Sequence, residues 1–73
     1  MDYREAIVDA LEQQYRAKIK GHLVNINIML DNIVSVAEHP DVIGMVDAEI
    51  AKIAEWEERL AILIGYLAEP KDV

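Results

Sequence analysis

Apolar side chains recur along most of this chain at the spacing of an amphipathic helix. In the first half, Val8, Tyr15, His22, Met29 and Val36 follow one another every seven residues, and Ile19, Ile26 and Ile33 form a second row beside them. Written as a heptad, these are the d and a positions of a helical seam. The seam is weaker at its start, where Glu12 occupies an a position; Leu11 next to it can substitute, and Leu23, Leu30 and Ala37 widen the stripe. In the second half, Ile43, Ile50, Glu57 and Ile64 take the a positions, and Val46, Ile53, Leu60 and Leu67 the d positions. Alanines 48, 51, 54, 61 and 68 add helix propensity. Glu49 with Lys52, and Glu55 with Arg59, offer charge pairs at helical spacing.

Two features oppose a helix in the first half. Gly21 costs about 1 kcal/mol relative to alanine in a helix interior. The run Val24-Asn25-Ile26-Asn27-Ile28 alternates as a strand does. Helix is the preferred reading, because the seven-residue repeat passes through Gly21 without a break in phase. Gly21 is then read as a point of close helix–helix approach.

Between the two periodic segments lies Glu38-His39-Pro40-Asp41, with the only proline in the first 69 residues. Proline lacks an N–H and clashes with the carbonyl four residues back, so it ends one helix and suits the first turn of the next. The chain therefore reads as a single all-α hairpin over residues 1–73: helix 1 about 3–37, turn 38–41, helix 2 about 42–68 and a frayed tail 69–73, after Pro70 stops the second helix. A short tip sets Val36 beside Ile43, Ile33 beside Val46, Met29 beside Ile50 and Ile26 beside Ile53. It continues with Ile19 beside Leu60 and Tyr15 beside Ile64. In that register the polar members of the two seams, His22 and Glu57, face one another.

Hydrophobic residues make up 53% of the sequence, more than one hairpin seam hides. Val24, Ile28 and Val34 fall outside the first stripe, Met45, Trp56 and Leu63 follow a flank of the second, and Ile62 and Tyr66 lie beyond it. These are the candidates for an oligomer interface. Two antiparallel hairpins associating into a four-helix bundle, or a larger helical oligomer, would bury both sets, with a twofold dimer favoured.

Composition narrows the chemistry. Fourteen acidic residues against seven basic ones give a formal charge of −7, and the basic residues are scattered, which argues against nucleic-acid or anionic-membrane binding. The acidity is compatible with a basic partner or phosphate mimicry, but a solvated surface that keeps the protein soluble is the simpler reading. There is no cysteine, so neither disulfides nor thiolate–metal sites reinforce the fold. The longest apolar-plus-glycine run, Leu60 to Ala68, is far short of the ~20 residues that cross a bilayer. The charged start, Met1-Asp2-Tyr3-Arg4-Glu5, is no secretory leader, so a cytoplasmic protein is expected. No cysteine nucleophile, Gly-rich phosphate loop or Glu-x-x-His motif is present, and neither enzymatic activity nor a cofactor is expected. His22 and Glu57 remain as an alternative metal site, since two copies would supply two imidazoles and two carboxylates. A buried pair that fixes register is the preferred account of them.

His39-Pro40-Asp41 resembles the signature loop of J-domain co-chaperones. The helix before that loop is strongly basic in the family, and here Asn32-Ile33-Val34-Ser35-Val36-Ala37-Glu38 carries no basic residue, so a proline-started helix is preferred. Glu38-His39-Pro40-Asp41, with Asp47-Ala48-Glu49-Ile50-Ala51-Lys52-Ile53-Ala54 and Glu57-Glu58-Arg59-Leu60, resembles small uncharacterised proteins encoded by T4-like phages of marine bacteria. That resemblance implies a phage accessory protein acting in the host cytoplasm on a host or phage protein. It adds no activity or site residue to the expectation of a non-enzymatic, homo-oligomeric interaction module.

Overall fold

A computed structural model of the protein describes residues 2–32 and 41–68. Among these every regular element is a helix, and the alternating run 24–28 is helical too. Helix α1 spans Tyr3–Asp31 and helix α2 spans Val42–Ile62, with a π-helical turn, Leu63–Leu67, continuing α2. The two helices lie antiparallel in a layer with extents of 55 × 21 × 12 Å.

Each helix begins on an aspartate. The Asp2 carboxylate accepts from the backbone N–H groups of Arg4 and Glu5, and the Asp41 carboxylate accepts from that of Gly44 at 3.1 Å, which satisfies donors that have no partner in the first turn. Exposed i,i+4 contacts run along the solvent sides: Gln13 donates to Asp9, Arg16 pairs with Glu12 and Arg59 with Glu55. Helix α1 ends at Asp31, and at Asn32 the backbone leaves helical geometry. Its last turn has no basic residue to complement the dipole and carries Asp31 instead. Asparagine also competes for backbone hydrogen bonds and favours a helix end. The expected continuation of this helix over 33–37, the turn residues 38–40 and the tail 69–73 lie outside the described residues, as do Ile33, Val34 and Val36.

The helices meet along a narrow stripe. On α1 it comprises Val8, Leu11, Tyr15, Ile19, His22, Ile26 and Met29, all half-buried. On α2 it comprises Val42, Val46, Glu49, Ile53, Trp56 and Leu60, also half-buried, and Leu63, which at 3% exposure is the one buried residue among those described. The row expected at Ile43, Ile50, Glu57 and Ile64 is exposed instead, with Ile43 82% accessible. Its neighbour, one residue earlier in each heptad, faces α1 in its place. Trp56 and Leu63, read from the sequence as oligomer-interface candidates, thus belong to the hairpin's own seam. The π-helical turn has a wider repeat than an α-helix, and past it Ala68 is half-buried whereas Leu67 is exposed. The Leu67 carbonyl accepts from Arg4 Nη2 at 3.1 Å, which ties the end of α2 to the start of α1.

Register differs in the same way. Tyr15 meets Trp56, not Ile64, and His22 meets Glu49, not Glu57. Each α1 residue pairs about two turns nearer the start of α2, roughly 12 Å at 1.5 Å per residue. The departure from helical geometry at Asn32, ahead of the expected turn, is consistent with this. Gly21 is not a point of close approach: a Cβ there would meet no described atom within 4 Å.

Candidate functional site

Two different flanks border the seam. The first carries polar and aromatic chemistry. His22 Nδ1 lies 2.6 Å from Glu49 Oε2, and the two side chains are only 19% and 14% exposed. A carboxylate accepts but cannot donate, so the Nδ1 proton is on the imidazole. Asn25 Nδ2 donates to the other oxygen, Glu49 Oε1, at 3.4 Å. The hydrogen bond from His22 holds the Glu49 carboxyl below its ordinary pKa; Asn25 and the positive charge of Lys52 act in the same direction, and partial burial opposes them. About two turns along the same flank, the Trp56 ring packs tilted against Tyr15 at 5.8 Å and lies under the Arg59 guanidinium at 4.6 Å, with Lys18 at 5.8 Å. Such cation–π contacts favour a Trp that is covered on its exposed side by long basic side chains.

This flank is a structural bridge. Among the described residues no three His, Asp or Glu side chains converge as a metal site would need. Glu57, the expected partner of His22, instead lines an open groove on the other flank with Arg16, Lys20 and Leu23. Neither the buried His22–Glu57 pair that was expected nor the alternative metal site on those two residues is assembled within the hairpin. Glu49 does not stand out in the sequence, because at helical spacing it is equally suited to a charge pair with Lys52. The usable signal was that Glu49 and Trp56, one heptad apart, share a helix face with Val42 and Leu63.

The second flank is apolar and open. Ile43, Ile50, Glu57 and Ile64 repeat every seven residues along α2, and Leu23 and Leu30 stand one heptad apart on α1, so each set keeps to one side of its helix. They line two shallow grooves: Leu30, Ile43 and Ile50 toward the tip, and Leu23, Glu57, Ile64, Arg16 and Lys20 farther down. Of the other interface candidates, Val24, Ile28, Met45, Ile62 and Tyr66 are exposed, away from this flank. No helix among the described residues is long and apolar enough to cross a membrane. No protein-family model, curated protein or solved structure matches the chain.

Proposed function

We propose that this protein is a non-enzymatic helical interaction module that works as a homo-oligomer. The observation that carries the reading is a layer two helices wide with large aliphatic side chains on its surface and, among the described residues, only Leu63 buried. The chain exposes 5857 Å², against roughly 4,600 Å² for a compact monomer of its mass. Large aliphatic side chains left open along a groove mark an interface, and a second helical layer laid on the first would complete a four-helix bundle. The grooves are open along their length and their walls are mostly aliphatic, a shape suited to helices and unsuited to holding a small substrate away from water. Sedimentation equilibrium at low micromolar concentration tests the reading. An oligomer is expected, and a folded 8.3 kDa monomer would overturn it.

The resemblance of the second half to small phage proteins extends the proposal to an accessory protein that engages a host or phage protein. Val24 and Ile28, exposed on α1 away from the open groove, are the surface offered to that partner. Affinity capture from infected cells tests this: one protein should be recovered with the wild type and lost with Ile28→Glu. Equal recovery with both would remove Ile28 from the contact.

A further inference from the structure

We infer that the open flank lined by Leu23, Leu30, Ile43 and Ile50 is the seat of a second copy of this chain, its hairpin parallel to the first and related by a twofold axis along their length. The inference rests on the interaction-module reading and supplies its partner, face and orientation.

The flank is self-complementary. His22 beside Glu49 and Tyr15 beside Trp56 define which residues of α1 and α2 lie at one level. By that measure Leu30 is level with Ile43, Leu23 with Ile50, and Arg16 with Glu57, each to within about two residues, or ~3 Å. All six lie on the same face, α1 members on one side of the groove and α2 members on the other. A twofold rotation about the long axis keeps every level and exchanges the two sides. It sets α1 of one copy over α2 of the other, so Leu30 meets Ile43 of the second copy, Leu23 meets Ile50, and the Arg16 guanidinium meets the Glu57 carboxylate. Each contact occurs twice, as an isologous interface requires. The helices across the interface run antiparallel, as they do within each hairpin, which is the alternating arrangement of a simple four-helix bundle.

The opposite orientation, with hairpins head to tail, stacks α1 on α1 and α2 on α2. It cannot bring the aliphatic tip halves together and also place Arg16 on Glu57, because those groups lie at different levels. The open flank runs along both helices, from Leu30 and Ile43 to Arg16 and Glu57, and a stable interface takes ~800 Å² per partner.

The test uses the full-length chain in four forms: wild type, Glu57→Arg, Arg16→Glu and the double exchange. Sedimentation equilibrium should give a dimer for the wild type, a dissociation constant raised about tenfold or more by Glu57→Arg, and recovery to within about threefold of wild type in the double exchange. Circular dichroism reports whether each variant remains helical. Ile43→Glu, at a side chain 82% exposed, is a second route to the same loss, with Ile28→Glu as the control that leaves the dimer intact. Orientation is read from a spin label on Asp31→Cys: labels at the same end give a short separation, whereas head-to-tail copies place them near the 55 Å length of the layer. An oligomer unaffected by Glu57→Arg and Ile43→Glu, or a long label separation, overturns this inference and leaves the interaction-module reading standing. A wild-type monomer overturns both.

Discussion

Gly21 and Gly44 are both helical glycines without left-handed backbone, yet their replacement has opposite consequences. Around Gly21 there is open space, so Gly21→Ala is expected to stabilise the fold by about 0.5–1 kcal/mol through helix propensity. A Cβ on Gly44 would run into the Asp41 carboxylate. There the propensity gain is offset by loss of a cap worth about 1 kcal/mol, and Gly44→Ala is expected to be neutral or destabilising. Asp41→Ala alone should cost about 0.5–2 kcal/mol, and in that background Gly44→Ala should become stabilising. Urea melts of the four combinations check this, and a stabilising Gly44→Ala in the presence of Asp41 would contradict it. Glu49 gives a prediction in pH. Its carboxyl lies below the ordinary 4.5, so between the folded and ordinary values the unfolded chain binds more protons. The stability contributed by the carboxylate is therefore complete above about 4.5 and is lost as pH falls through the folded value. The difference in urea midpoint between wild type and Glu49→Gln should be constant just above the ordinary value and shrink below it. A difference that grows on acidification would mean the carboxyl is not held low.

The pairing of α1 with α2 is a question of which row of α2 faces inward, and hydrophobic period alone does not answer it. Val46, Ile53 and Leu60 can be flanked by Ile43, Ile50, Glu57 and Ile64 or by Val42, Glu49, Trp56 and Leu63. Each flanking row holds three large apolar residues and one glutamate, so both score alike on any heptad count. Helical class was legible in the sequence because the seven-residue repeat outlasts both Gly21 and the alternation at 24–28. The inward row was not, because it is decided by side-chain chemistry across the seam: Tyr15 packs against Trp56, and His22 finds a carboxylate that Asn25 also reaches. Asp31-Asn32 was the overlooked helix stop that permits this register. A double-mutant cycle distinguishes the two registers. His22→Leu and Glu49→Leu should be strongly non-additive, the double variant being more stable than the sum of the single losses, while His22→Leu and Glu57→Leu should add. The reverse pattern would restore the other register. In the same series Leu63→Ala should cost about 2–5 kcal/mol, as for a buried leucine. A loss under 1 kcal/mol would mean that the base of the hairpin is not packed as described.

For the whole molecule, a dimer joined through the open flank would make self-association and folding one equilibrium. If the open flank is covered only by a second copy, thermal midpoints should rise with protein concentration. A midpoint independent of concentration across a hundredfold range would count against a dissociable dimer.

A layer 55 Å long and 12 Å thick also has a hydrodynamic consequence. In both helices the backbone N–H bonds point along the helix axes, which here coincide with the long axis of the molecule. Tumbling of that axis is the slowest rotation of an elongated body, so amide relaxation in this protein reports almost solely on the slow mode. The apparent correlation time of a lone hairpin would then exceed that of a sphere of 8.3 kDa and mimic a dimer. Two such layers stacked face to face are thicker but no longer, so dimerisation makes the particle rounder. Retention on a sizing column should shift less than the doubling in mass suggests, and the clearer sign of the dimer is a fall in tumbling anisotropy.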